Sequence, residues 1–305
     1  MGEPVNIVVM SGGQGPEREV SLRSGVAVTR ALRGLGHRVT ELDPIDDTWT
    51  LPVETQMVFL ALHGVYGEDG QVQRQLQLLG MPYTGSGPKA SELAFDKART
   101  KEVLREAGLP TPNWTVIDAK DAPWPTGWEV PLVLKPVEQG SSVGLQFVDS
   151  RDQWTEALMD AWVGGGPLLC EPRVVGREIT VGILNGEALP IVEVRPRRGA
   201  YDYHNKYTVG ATEYFCPADF SAEETRKLQR ISLAAFRAVG ARDFGRVDLM
   251  VDPQSGPALL EVNTLPGLTE TSLLPKAAAA AGLDFAGLCQ RMLELARRRA
   301  AALAA

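Results

Sequence analysis

Short continuous apolar runs mark the first part of the chain, at residues 7–10 and 57–62. Such runs suit strands of a parallel sheet, where both faces are covered. Between them Val28, Ala31, Leu32 and Leu35 recur at helical spacing, predicting a helix that stops at Gly36. Residues 38–42 read as a further strand, and the Gly-rich segment 11–16 joins the first strand to the helix. The pattern predicts a small parallel α/β unit.

The pattern then changes twice. Residues 91–109 read as one helix, broken by Pro110-Thr111-Pro112. Strands are predicted at 131–135, 145–148 and 168–171, with a polar Gly/Ser loop at 138–144. Ser150 and Gln153 have the spacing of a capping box at the start of an intervening helix. From Glu178 onward the alternation becomes antiparallel. Strands 179–184 and 188–194 flank Asn185-Gly186, the strongest short hairpin signal. A long polar and aromatic loop follows at 195–212, then a helix capped by Ser221 and Glu224. Strands 244–251 and 258–263 pair next, and two helices close the chain. Three sections are expected, at 1–89, 90–175 and 176–305, combining α/β and α+β architecture.

Composition narrows the class. With 44% apolar and 23% charged residues among 305, the chain is ordinary globular protein with enough length for several cores. The net charge of −7 and the lack of a basic stripe argue against nucleic-acid binding. Arg297-Arg298-Arg299 lie near the end of the last helix, where cations complement the dipole. Cys170, Cys216 and Cys289 fit no disulfide or metal framework and read as buried thiols. No stretch approaches the roughly 18 apolar residues of a membrane span, and no leader pattern precedes the first strand. A cytoplasmic setting is expected.

The richest chemistry lies on the second strand pair. Alternation puts Arg246 and Asp248 on one face of residues 244–251, and Glu261 and Asn263 on one face of residues 258–263. Paired, they form an oxygen-rich surface suited to a hard cation such as Mg²⁺, which takes one or two carboxylates and substrate phosphates. A hairpin with a solvated polar face has the same pattern. The loop 138–144 can turn backbone N–H groups around anionic oxygens, with Lys135 just before it, yet it also reads as a plain turn. It is neither a Walker A sequence nor a Rossmann fingerprint. Lys97 reads as a solvated lysine on a helix. Glu171 and Glu178 flank a connector and could contact a ribose or an adenine amino group, or be surface charges. His63 follows a strand end, where ligands bind in open α/β sheets.

The stretches GPEREVSLRSG (15–25), ALHGVYGEDG (61–70), PYTGSG (82–87), KPVEQGSSVG (135–144), YDYHNKY (201–207), GRVD (245–248) and EVNTLPGLTETSLLP (261–275) run in order through nearly the whole chain. Together they closely resemble the D-alanine–D-alanine ligase family, which has the ATP-grasp fold. The resemblance implies three domains: an N-terminal parallel α/β domain, a central α+β domain and a C-terminal mixed or antiparallel domain. The implied reaction joins two D-alanine molecules through an acyl phosphate made from ATP. Asp248, Glu261 and Asn263 would hold two Mg²⁺ ions, with Mn²⁺ as a substitute. Lys97, Lys135 and Lys206 would face the phosphates. Ser142, Glu171, Val174, Glu178 and Leu260 would complete the nucleotide site. Arg246 and the N–H of Gly267 would stabilise the tetrahedral oxyanion. Glu17 would pair with the first ammonium, near His63, while Ser272 and the N–H of Leu273 would hold the second carboxylate. Ser141 and Tyr207 would tie Glu17 to the loop 195–212, acting as a lid. A homodimer in the bacterial cytoplasm, serving peptidoglycan synthesis, is also implied.

Three positions depart from the family pattern. Arg173 stands where an aromatic is usual, Ala200 where Phe is common, and Pro16 where a small residue is common. Tyr207 favours an amine as second nucleophile, since relatives that use D-lactate lack it. Other expectations remain open: D-lactate or D-serine as second substrate, a kinase stopping at the acyl phosphate, or a non-catalytic nucleotide-binding relative.

Overall fold

The structure is a computed structural model that describes residues 3–46, 48–162, 165–199, 201, 205, 208, 210–269 and 272–304. It contains three sheets. The first is parallel, with β1 (Asn6–Met10) between β2 (Arg38–Leu42) and β3 (Met57–Leu60). Its central position explains the apolar run of β1, four of whose five residues are buried. Helix α1 (Arg18–Gly34) ends as expected: Gly36 takes φ 89°, and the N–H of His37 returns to the carbonyl of Leu32 at 3.1 Å. Strand β3 ends at Leu60, two residues short of the expected bound.

The expected helix over 91–109 is two helices, α3 (Pro88–Phe95) and α4 (Lys97–Glu106), separated at Asp96. Asp96 leaves helical geometry and caps α4, accepting the N–H of Arg99 at 2.9 Å. The short helix α2 (Gln71–Leu78), not expected from the pattern, buries Val72 and Leu76 at i,i+4 spacing.

The second sheet has strand order β4-β7-β5-β6. It comprises β4 (Thr115–Ile117), β5 (Leu132–Pro136), β6 (Gln146–Val148) and β7 (Leu168–Pro172). Helix α5 (Trp154–Ala161) covers it, packing Trp154 and Leu158 against Leu132, Leu134 and Leu168. The capping box of Ser150 and Gln153 is present, but it opens a short 3₁₀ turn that leads into α5.

The third sheet is antiparallel, in the order β10-β9-β8-β11-β12. Strands β8 (Arg177–Leu184) and β9 (Glu187–Pro196) turn at Asn185 and Gly186, both with positive φ as a type I′ turn requires. Strand β10 (Thr212–Phe215) closes one edge; β11 (Phe244–Asp252) and β12 (Gly256–Asn263) lie at the other. Helix α6 (Ala222–Ala238), capped by Ser221 and Glu224, buries Leu228 and Phe236 against Val181, Val247 and Val262. Helix α7 (Leu273–Ala280) packs Leu273 and Ala277 on Val192 and Val194.

The last helix, α8 (Phe285–Ala304), returns to the first sheet, and Leu288, Met292 and Leu293 join its core. Arg299 has a tertiary role instead of the expected helix-end role. It pairs with Asp243 and donates to the carbonyl of Tyr83. Arg242 adds a bond to the carbonyl of Gly85 at 3.1 Å. The start of β11 is thereby fastened to the first section. Cys170 and Cys289 are buried as expected, whereas Cys216 is only half-buried; all three are free thiols. Among the described residues no helix is long and apolar enough to cross a membrane.

Gly245 of β11 faces Phe236 of α6. A Cβ there would lie 2.6 Å from the Phe236 ring and 2.8 Å from the Asn263 carbonyl oxygen. Gly245→Ala is expected to cost about 2 kcal/mol through overpacking and to lower Tm in calorimetry. An unchanged Tm would contradict this packing.

Candidate active site

Strands β11 and β12 pair with Arg246 opposite Asn263 and Asp248 opposite Glu261. All four side chains share a face, while Val247, Leu249 and Val262 are buried on the other. Like charges directly opposite on paired strands destabilise a sheet unless a cation intervenes. Arg246 serves Asp248, donating through two nitrogens to its two oxygens, each at 2.8 Å. Burial opposes the guanidinium charge, but Asp248 and Glu261 more than offset this and hold its pKa above the ordinary value. Thr180, buried on β8 opposite Asp248, donates to the same carboxylate at 2.5 Å. Among the described residues the Glu261 side chain makes no hydrogen bond or ion pair, though its charge acts on Lys97 and Arg246.

The donor set suits Mg²⁺. Among the described residues no three His, Cys, Asp or Glu side chains converge. Two carboxylates and the Asn263 amide oxygen stand on one face, as expected of a hard cation that takes its remaining ligands from phosphates and water. Asn263 is held in place because its oxygen accepts the N–H of Leu265 at 3.0 Å.

Two cavities meet at this face. One, of about 680 Å³, is lined by Glu17, His63, Ser141, Arg246, Asn263, Gly267, Ser272 and Leu273. The other, of about 500 Å³, is lined by Lys135, Ser142, Glu171, Val174, Glu178, Asp248 and Leu260. Lys97, Gln139, Tyr201 and Glu261 line both. The residues singled out in the sequence are therefore gathered into two adjoining spaces, apart from Lys206 and Tyr207, which lie outside the described residues.

Glu17 ends the turn before α1 and is buried. The Ser141 hydroxyl donates to its carboxylate across 124 residues of chain. A Cβ at Gly64 or Gly140 would fall 2.4 or 2.5 Å from a Glu17 oxygen, so both glycines admit that carboxylate. Ser141 and Ser142 have φ of 52° and 57°, a pair of left-handed non-glycine residues that bends the 138–144 loop over the cavities.

His63 is buried, with Nε2 at 3.0 Å from the Ser24 hydroxyl and Nδ1 at 3.2 Å from the Leu265 carbonyl. Glu68 stands 3.6 Å from Nδ1. Ser272 precedes α7, its hydroxyl accepting the Thr269 N–H at 3.1 Å. Gly267 lies beside it: a Cβ there would be 3.0 Å from the Ser272 hydroxyl.

Lys97 is buried, not solvated as its helix position implied. Its ammonium donates to the Gln139 carbonyl at 2.6 Å and so anchors the 138–144 loop. Burial lowers its pKa, with Glu261 acting against the fall. Glu171 is equally hidden, so it is not the surface charge that one reading of the sequence allows: one oxygen pairs with Lys101 and the other with Lys135 at 2.6 Å, and it lines the smaller cavity. Burial favours its protonated form, but the two ammoniums prevail and hold its pKa below the ordinary value. Arg173 leans on the Phe147 ring at 4.4 Å and pairs with Asp149 at 3.0 Å, lining the smaller cavity. Pro16 lies in the turn before α1, and Ala200 lies outside the described residues.

Thr180, Ser24 and Lys101 were not singled out from the sequence. Lys101 carried one usable signal, its i+4 spacing from Lys97 on the same helix. Thr180 carried none, because its role depends on pairing with β11 across 68 residues.

Comparison with known proteins places these features in context. Residues 38–86 match the family model for the D-ala D-ala ligase N-terminus and residues 103–294 the model for the C-terminus. A D-alanine–D-alanine ligase of Methylacidiphilum infernorum is 43% identical over 297 residues, covering 97% of each chain. That of Aquifex aeolicus is 45% identical over 285 residues, covering 92% of this chain and 97% of its own. The crystal structure of the Bacillus anthracis ligase complexed with ATP superposes with a TM-score of 0.85 at 31% identity, covering 99% of this chain and all of that one.

Glu171→Gln would leave the buried Lys101 ammonium and the partly buried Lys135 ammonium without their shared counter-ion. The expected cost is about 3 kcal/mol in urea unfolding at neutral pH. Because the folded pKa of Glu171 is lowered, this stability is present above its unfolded value and is lost as pH falls through the depressed folded value. Equal stability of wild type and variant at neutral pH would contradict the triad.

Proposed function

The chain belongs to the D-alanine–D-alanine ligase family, and from that premise we propose that its two adjoining cavities carry out ATP-dependent ligation of two D-alanine molecules. The observation that carries this reading is the common wall of Lys97, Gln139, Tyr201 and Glu261. A nucleotide in the smaller cavity can present its terminal phosphate at that wall, and a carboxylate in the larger cavity can meet it there.

A carboxylate is a poor acyl donor, so the first step transfers the γ-phosphoryl group of ATP to the carboxylate of the first D-alanine, releasing ADP. The amine of the second D-alanine then attacks the acyl carbon, and inorganic phosphate leaves. Phosphoryl transfer depends chiefly on alignment and neutralised charge. Lys97, Lys135 and Lys206 supply positive charge along the phosphates. Ser142, Glu178, Val174 and Leu260 line the nucleotide's side, with Glu171 holding Lys135. Asp248, Glu261 and Asn263 would hold two Mg²⁺ ions, replaceable by Mn²⁺, which neutralise phosphate charge when bound.

Arg246, oriented by its fork onto Asp248, and the Gly267 N–H face the developing oxyanion. Glu17 receives the first ammonium, with His63 beside it. Ser272 and the Leu273 N–H at the start of α7 receive the second carboxylate. By the family resemblance Ser141 and Tyr207 would link Glu17 to the 195–212 segment, whose closure would exclude water from the acyl phosphate. The dipeptide would serve peptidoglycan synthesis in the cytoplasm, and the working form would be a homodimer. The rival reading replaces the second substrate by D-lactate or D-serine; Tyr207, through the family resemblance, favours an amine.

Coupled ADP release is expected with D-alanine, ATP and Mg²⁺, and mass spectrometry should find D-alanyl-D-alanine. Faster turnover with D-lactate than with D-alanine at neutral pH would overturn the choice of second substrate. Glu261→Gln is expected to lower kcat by about 100-fold or more by weakening charge neutralisation at the phosphates. Unchanged ATP turnover would remove Glu261 from the metal site.

A further inference from the structure

Lys101 has no exposed surface, and among the described residues it lines neither cavity. It lies one turn after Lys97 on α4, and its ammonium is enclosed on every side. It pairs with one oxygen of Glu171 on β7, donates to the Thr111 hydroxyl at 2.7 Å, and stands 5.4 Å from the centre of the Trp114 ring. Thr111 passes the bond on to the Leu259 carbonyl of β12 at 3.0 Å. The second oxygen of Glu171 takes Lys135 of β5, which does line the nucleotide-side cavity.

A lone carboxylate facing Lys135 could engage its ammonium with both oxygens and cancel its charge. With Lys101 occupying one oxygen, two ammoniums share one carboxylate and the cluster keeps a net charge of about +1. That charge is expressed at Lys135, the member open to the cavity. Lys101 also fixes the direction of the Glu171 carboxylate by hydrogen bonds that reach β12.

We propose that Lys101 is a positioning residue for the nucleotide's phosphates, occupying one oxygen of Glu171 so that Lys135 stays aimed into the smaller cavity and the cluster keeps its net positive charge. This rests on the ligase reading only in taking a nucleoside triphosphate as the occupant of that cavity.

The groups facing Lys101 also make the cluster sensitive to pH. Burial lowers its pKa to about 8, while Glu171 acts against the fall and Lys135 adds to it. Arg105, further along α4, shares the Trp114 ring at 4.4 Å. As pH rises through that value Lys101 loses its proton, the cluster loses one positive charge, and phosphate binding should weaken.

The test is calorimetric titration of the full chain with the Mg²⁺ complex of a non-hydrolysable ATP analogue, from pH 7 to 9.5, in wild type, Lys101→Met and Lys101→Arg. At pH 7, Lys101→Met is expected to bind about ten-fold more weakly, the equivalent of one pKa unit of lost interaction, and KM for ATP should rise in step. KM for D-alanine should not move. Lys101→Arg, which keeps the charge, should recover most of the affinity. Wild-type affinity should fall as pH passes about 8, and Lys101→Met should lack that decline.

Binding by a folded Lys101→Met within two-fold of wild type, or the same alkaline decline in both, overturns the proposal. So does a wild-type affinity that is flat across the range, a result independent of whether the variants fold. Failure of the wild type to form dipeptide would instead sink the ligase reading, so the two failures are distinguishable.

Discussion

Two carboxylates facing each other across a strand pair set the problem that the rest of the site solves. Asp248 and Glu261 stand directly opposite on β11 and β12, on a sheet whose other face is packed with Val247, Leu249 and Val262. The apolar face fixes the register, because a slip by one residue would turn every polar group inward. With the register fixed, the two negative charges cannot avoid each other. Arg246 and Thr180 take up Asp248, and Lys97 lies in the field of Glu261. The acid pair thus holds cations around itself, and the same arrangement is ready for phosphates with their accompanying metal ions.

The neighbouring elements follow from this need for charge balance. Lys97 reaches the acid pair from α4 and also holds the Gln139 carbonyl, so the 138–144 loop is anchored by the cation that serves the site. The same loop sends Ser141 to Glu17 in the first section and Ser142 to the Tyr201 carbonyl at 3.4 Å. Lys135 and Lys101 share Glu171 in the sheet behind it. Buried charges are costly unless paired, and here the two Glu171 pairs also tie α4 to strands β5 and β7. Away from the site, Arg299 and Arg242 make a similar join by fastening the start of β11 to residues 83–85.

Local signals carried a large part of this. The Asn185-Gly186 turn, the capping boxes at Ser150 and Ser221, and the alternation in β11 and β12 depend on near neighbours, and they were legible without the fold. The family resemblance supplied Glu17, Ser272 and the substrates, which no periodicity could indicate. What stayed hidden depended on distant pairing. Lys97 and Glu171 have the composition of surface residues, and only the packing of α4 against two sheets buries them. Arg299 looked like a helix-end cation until α8 returned to the first sheet. The break at Asp96 was legible in principle, since an Asp three residues before Arg99 is a capping signal, but the surrounding helical stripe masked it.

The central claim is that a carboxylate in the larger cavity takes the terminal phosphoryl group of a nucleotide in the smaller one, across their common wall. Oxygen-18 in the D-alanine carboxylate tests it most directly. If the acyl phosphate forms, each dipeptide made must send one labelled oxygen into the inorganic phosphate released, which mass spectrometry of the phosphate reads. Dipeptide formation with unlabelled phosphate would contradict the account.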